Sequence, residues 1–259
     1  MAKTEQQHRE DIVEVGRLVY EKGWIAASDG NVTIRLDDDR ILATPTGVCK
    51  GAMRAEDLIL CDLDGNKLSG ERERTSEMGM HLTIYKMRAD VRGIVHAHPP
   101  VATGFAVAGR ALNLGLLPEV VFGLGSVPLA DYGLPGTPAL TEGMLPYIPK
   151  YDALLMANHG AVSYGPDVFQ AYSRMEVVEH FARITLVAEL LGGPKVLPRV
   201  EIQKLFDSRP RYHIQSRNHF EPGCPMAAED MPEPGEKIEI AREQLLAIID
   251  EALKVRGVF

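Results

Sequence analysis

Two histidines one residue apart, His96-Ala97-His98, close the apolar run Val91 to Val95. On a strand, side chains two apart share a face, roughly 6.6 to 7 Å apart along the chain, so both imidazoles could turn toward one ion. A third histidine ends a second apolar run: Ala153-Leu154-Leu155-Met156-Ala157-Asn158-His159-Gly160 reads as a buried strand stopping on His159, with Gly160 where the chain must turn. Three neutral imidazoles can hold Zn²⁺ or a similar divalent metal with one position open, the arrangement of a catalytic rather than a structural site. Eight histidines in 259 residues also produce a His-x-His pair by accident, so the pair alone does not assign a metal.

The elements that must position these residues mix helix and strand patterns. Gln7 to Lys22 places Ile12, Val15, Leu18 and Val19 at helical spacing before Gly23. Asn31 to Leu36 and Arg40 to Thr44 read as a hairpin around an Asp-rich turn, and Leu58 to Leu63 as a strand ended by Asp64-Gly65-Asn66. Thr75-Ser76-Glu77 caps a helix to about Met87, the His96 strand follows, and Pro99 to about Gly109 is helical. Val120 to Asp131 reads as a short strand with bends, Thr141 to about Ile148 as a short helix, and Asp167 to Leu191 as a long helix stopped by Gly192-Gly193-Pro194. Beyond Pro198 organisation loosens. A Pro/Gly-rich linker from Glu221 to Gly235 precedes a last helix near Ile238 to Val255.

Composition excludes several classes. With 45% hydrophobic residues the chain can bury a large α/β core, and a formal charge of −8 without a long basic cluster argues against nucleic acid or an anionic membrane as partner. No stretch is long and apolar enough to span a bilayer, and the first residues lead into a polar amphipathic segment, so a cytoplasmic protein is expected. Cys49, Cys61 and Cys224 contain no Cys-x-x-Cys pair and read as reduced structural thiols. Gly123 and Gly125 do not complete a dinucleotide-binding fingerprint.

Three further clusters carry polar chemistry. Thr75-Ser76 before Glu77 could offer hydroxyls and free backbone N–H groups to a phosphate, and is equally an ordinary helix cap. Thr44-Pro45-Thr46-Gly47 could approach an oxyanion, and Asn31 follows the turn at Asp29-Gly30. His81, one helical turn after Glu77, could orient that carboxylate or simply pack in the core.

In order and spacing, Gly30-Asn31-Val32-Thr33, Thr44-Pro45-Thr46-Gly47, Thr75-Ser76-Glu77 with His81, His96-Ala97-His98 and Asn158-His159-Gly160 resemble the class II aldolase/adducin family, which includes L-fuculose-phosphate aldolase. The resemblance covers about residues 8 to 215. It implies that His96, His98 and His159 bind a metal, usually zinc, with Glu77 as the carboxylate beside it and general acid/base. It also implies that Asn31, Thr46, Gly47, Thr75 and Ser76 line a phosphate pocket, and that Tyr212, in Arg211-Tyr212-His213, closes over the site. The implied fold is an α/β three-layer α/β/α sandwich with a central mixed, largely antiparallel sheet, over residues 1–217. Residues 218–259 would be a C-terminal linker and helix. The implied assembly is a homotetramer with active sites between subunits.

The implied function is a zinc-dependent aldolase, a lyase that breaks or forms a carbon–carbon bond next to a ketone in a sugar-phosphate-like substrate through a metal-stabilised enediolate. One position departs from the pattern. Fuculose-phosphate aldolases carry a tyrosine acid where this chain has Leu117. Glu119 or Tyr132 could substitute, or the enzyme could be a metal-dependent decarboxylase of a β-keto or hydroxyaromatic acid, which needs no such acid. Adducin-like members are binding modules without catalysis, and the three histidines with Glu77 speak against that reading. His213 and His219 are expected on the surface, and His8 and His180, on helices with Glu and Arg neighbours, to face solvent or pack.

Overall fold

The computed structural model describes residues 3–212 and 226–231. Helix α1 (Glu5–Glu21) starts at Thr4, whose hydroxyl accepts from Gln7 N while the Gln7 side chain accepts from Thr4 N, a reciprocal cap. Its buried residues Ile12, Val15, Gly16 and Val19 repeat at three and four, one apolar stripe laid on the sheet. Strands β1 (Asn31–Arg35) and β2 (Arg40–Ala43) form the expected hairpin, closed by Asp37 accepting from the N–H groups of Asp39 and Arg40. A second hairpin, β3 (Ile59–Asp62) and β4 (Lys67–Ser69), uses Asp62 in the same way. There follow α2 (Met78–Met87), β5 (Gly93–Ala97), α3 (Pro100–Val107), α4 (Pro118–Gly123), β6 (Leu129–Ala130), α5 (Pro138–Met144), β7 (Ala153–Met156), β8 (Gly160–Gly165), α6 (Val168–Leu190) and α7 (Arg199–Ser208).

The eight strands form one mixed sheet in the order β4-β3-β2-β1-β5-β8-β7-β6, antiparallel except for the β6–β7 pair. Alternation along each strand sends neighbouring residues to opposite faces. Val32, Ile34 and Val95 pack with Ile12 and Val15 of α1, Phe105 of α3 and Phe181 of α6. Ile41, Ile94 and Val162 pack on the other face with Met80 and Ile84 of α2 and Leu140 and Met144 of α5. The result is the α/β/α sandwich with its largely antiparallel sheet.

Several elements differ from the sequence reading. The segment read as a bent strand from Val120 to Asp131 begins as α4, because Pro118 at its N-terminus seeds a helical turn and Val120 and Val121 bury on adjacent sides; only Leu129–Ala130 remains strand. Helix α5 starts at Pro138 rather than Thr141 for the same reason. After Pro198 the chain is ordered, as α7, which buries Ile202 and Phe206 against Val121 and Ala227. Residues 226–228 rejoin this body, with Met226 N donating to Asn113 O and Gly115 N to Met226 O.

The chain divides into the units Met1–Glu229 and Asp230–Phe259. The stretch 218–225 of the proposed linker, the helix expected near Ile238 to Val255, His213, His219 and Cys224 lie outside the described residues. Among the described residues no helix is long and apolar enough to cross a membrane.

Candidate metal and catalytic site

The β1–β5 register sets Asn31 opposite His96, on the face covered by α2. His96 is the penultimate residue of β5 and fully enclosed. His98 lies one residue beyond the strand, where its N–H donates to Trp24 O, so it reaches its partner from the chain's exit rather than from the strand pleat. His159 sits in the β7–β8 turn rather than at a strand end. Asn158 takes the left-handed conformation there, at φ 54°, a role the sequence reading gave to Gly160. Gly160 is needed for another reason: a Cβ on it would lie 2.5 Å from His98 Cδ2 and 2.7 Å from Ala97 O. The turn can close on the His98 ring only because that carbon is missing. Gly30, with φ +66°, similarly lets the chain pass the His96 carbonyl, 2.8 Å from where its Cβ would be.

These constraints bring one nitrogen of each imidazole within 4.8 Å of the others. His96 Nε2 and His98 Nε2 are 3.3 Å apart. Glu77 places Oε2 3.2 Å from His96 Nε2 and Oε1 3.0 Å from His159 Nε2. Two nitrogens on a tetrahedral ion at about 2.0–2.1 Å stand about 3.3 Å apart, so the spacing suits zinc. His96 Nδ1 donates to Ala161 O at 2.9 Å, which in the neutral ring leaves the Nε2 lone pair facing the other two imidazoles. Glu77 Oε1 and His159 Nδ1 are buried without a hydrogen bond. A lone pair held against a carboxylate, with a neighbouring carboxylate oxygen unsatisfied, is the polarity a cation corrects. The donor set therefore fits a divalent metal.

Charge follows from burial and neighbours. Burial would raise the Glu77 carboxyl, but His96 and His159, whose Nε2 atoms stand 3.2 and 3.0 Å from its oxygens, attract its negative charge when protonated and hold it far below the usual carboxylate range. Burial, then repulsion from His96 and His159, pushes His98 down to about 4, which keeps it neutral and able to ligate at neutral pH.

The oxyanion candidates fall beside Glu77. Thr46 N donates to Glu73 O, and Pro45 bridges to Arg74, so the loop carrying Thr46 and Gly47 runs alongside the approach to Thr75 and Ser76. Thr46, Gly47 and Ser76 are exposed; Thr75 and Asn31 are buried. Helix α2 starts after Glu77 with no side-chain cap, contrary to the capping reading, and Thr75 Oγ1 instead accepts from Glu77 N at 3.3 Å. Asn31 Nδ2 donates to Glu77 Oε2 at 2.8 Å and approaches Thr75 Oγ1 at 3.3 Å.

Of the residues weighed against Leu117, Glu119 lies in the groove between α4 and α6 with Gln170 and Arg174. Tyr132 belongs to the loop that leaves β6 where Ala157 N donates to Ala130 O, beside the His159 turn. That loop reaches Ser76 at Gly136, whose Cβ would lie 3.3 Å from Ser76 O. Tyr132 is thus on the rim, 60% exposed. Tyr212 stacks on Phe122 of α4 and is not brought to the imidazoles of its own chain. Sequence reasoning missed Thr33, Tyr85 and Asp29, the last with Oδ2 3.8 Å from His98 Nδ1. The alternation of Asn31 with Thr33 and the i, i+4 spacing of His81 and Tyr85 are the signals that could have found the first two.

Residues 10–186 match the Class II Aldolase and Adducin N-terminal domain family, and the chain belongs to that family. It is 33% identical over 197 residues to a 3-oxo-tetronate 4-phosphate decarboxylase of Pectobacterium atrosepticum, covering 74% of this chain and 88% of that one. It is 33% identical over 177 residues to an L-fuculose phosphate aldolase of Methanococcus maripaludis, covering 68% and 95%. Among solved structures, YgbL from Klebsiella pneumoniae superposes with a TM-score of 0.73 at 30% identity, over 78% of this chain and 99% of that one.

Proposed function

We propose that this protein is a zinc-dependent aldolase that cleaves or forms the carbon–carbon bond beside the ketone of a sugar-phosphate-like substrate. The observation that carries the reading is the state of Glu77: Oε2 is anchored by Asn31, while Oε1 is buried without a hydrogen bond, 3.0 Å from His159 Nε2, beside three imidazoles whose nitrogens lie within 4.8 Å of one another. His96, His98 and His159 would hold the ion, which supplies Lewis-acid stabilisation of negative charge on the donor's oxygens. Glu77 then moves the proton at the donor carbon, removing it when the bond forms and returning it when the bond breaks. The N-terminal end of α2 favours the ionised carboxylate.

Thr46, Gly47, Thr75 and Ser76, bordered by Asn31, receive the phosphate. Thr75 Oγ1 accepts from Glu77 N and Asn31 Nδ2, which leaves its own proton for a substrate oxygen. Remote binding of the phosphate fixes the reacting carbons, so affinity becomes positioning. Tyr132 supplies the acid missing at Leu117, and Tyr212 closes over the site of a neighbouring subunit in a homotetramer.

A second reading rests on Leu117 itself. Loss of carbon dioxide from a β-keto acid leaves the same charge on the same oxygens and needs no acid for an aldehyde, and one relative is named as such a decarboxylase. Zinc-loaded protein with dihydroxyacetone phosphate and short aldehydes should give aldol products that Glu77→Gln does not. Release of carbon dioxide from a 3-oxo-tetronate 4-phosphate, with no product from any aldehyde, would replace the first reading with the second.

A further inference from the structure

We infer that His81 is a positioning residue for Glu77, acting through the Asn31 amide. This inference rests on the catalytic role proposed for that carboxylate. His81 is completely buried on α2. Its Nε2 meets Asn31 Oδ1, and its Nδ1 lies 2.8 Å from Thr33 Oγ1, which is 2.9 Å from the Tyr85 hydroxyl.

Each link has one consistent polarity. Glu77 Oε2 is a carboxylate oxygen and can only accept, so the group of Asn31 that faces it is Nδ2. Asn31 Oδ1 therefore faces His81, and His81 Nε2 carries the proton. Burial holds His81 neutral, down to about 3, so Nδ1 bears a lone pair and accepts from the Thr33 hydroxyl. Thr33 in turn accepts from Tyr85.

An asparagine amide is close to symmetric in shape, and the reversed orientation would set Oδ1 against Glu77 Oε2, two acceptors facing each other. His81 Nε2–H makes that reversal costly, because it would meet the Nδ2 donors instead. The chain from Tyr85 to Asn31 thus fixes which oxygen of Glu77 is anchored and which is left for the substrate. Its parts come from one face of β1 and one stripe of α2, so the strand–helix packing that builds the core also aims the carboxylate.

The test uses the full-length zinc-loaded protein in two arms. Neutron diffraction from deuterium-exchanged crystals should place a deuteron on His81 Nε2 and none on Nδ1; the opposite placement overturns the inference whatever the reaction proves to be. In turnover, His81→Leu should lower kcat by about tenfold or more with zinc content and KM for the phosphorylated donor unchanged. His81→Gln, whose amide N–H can donate to Asn31, should restore most of the loss, and failure of that rescue would reduce His81 to a packing residue. Should His81→Leu not fold, Thr33→Val, which removes the donor to Nδ1 at constant shape, should lower kcat in the same direction; wild-type kcat there contradicts the inference. Inactivity of the wild type toward every donor tried would strike the proposed reaction and leave the neutron result to decide the role of His81.

Discussion

Glu77 answers to both the proposed cation site and the helix that carries it. Its Oε2 is held by Asn31 and its Oε1 faces His159, so an amide at this position keeps the shape and loses the proposed base. Glu77→Gln should retain zinc, since three histidines remain, while kcat falls by about 10²- to 10⁴-fold; metal analysis alongside steady-state kinetics checks both halves. His81 makes a pH prediction. The unfolded chain protonates this imidazole at 6.5 and the folded one only near 3, so below pH 6.5 the unfolded state binds the extra proton and stability falls with pH. Between pH 7 and 5 this contributes about 2 kcal/mol of lost stability. Denaturant titrations of metal-free protein should show a loss smaller by that amount in His81→Gln. His96, His98, His159 and Glu77 were legible as residues because ligand chemistry restricts their types. Thr33 and Tyr85 were not, because a threonine on a strand and a tyrosine on a helix have ordinary packing roles and acquire meaning only when the two faces meet.

The site depends on where elements stop. Strand β5 ends at Ala97, and the β7–β8 turn spends its left-handed residue on Asn158, which frees Gly160 to pass the His98 ring. Gly160→Ala should push that ring aside and weaken zinc binding by about 10- to 100-fold in a chelator competition, with the fold retained by circular dichroism; unchanged affinity would mean the close approach does not set the ligand. Long periodic elements such as α1 and α6, and hairpins with Asp-Gly or Asp-rich turns, were readable because periodicity and turn chemistry agree. Helices α4 and α7 were not: each buries only two hydrophobic residues, Val120 and Val121 in one and Ile202 and Phe206 in the other. Too few periods were present to separate helix from strand or loop.

Across the whole molecule, the three layers and the largely antiparallel sheet came from family likeness, since pattern alone finds strands and helices without ordering them, and the order of the strands is read from the structure. The β1–β5 and β5–β8 pairings then gather the site from segments more than a hundred residues apart. A homotetramer with Tyr212 of each subunit closing a neighbour's site predicts four times the 28.5 kDa chain mass by light scattering, and a Tyr212→Phe variant that stays tetrameric and binds zinc but turns over more slowly. A monomer at working concentration would remove Tyr212 from the reaction. The central claim is that three imidazoles share one cation beside Glu77. The most direct measurement is anomalous diffraction at the zinc edge from crystals of the zinc-loaded full-length chain. One peak per chain is expected, at about 2.0–2.1 Å from a nitrogen of each of His96, His98 and His159. Zinc bound elsewhere, or no peak among these rings at saturating metal, would contradict it.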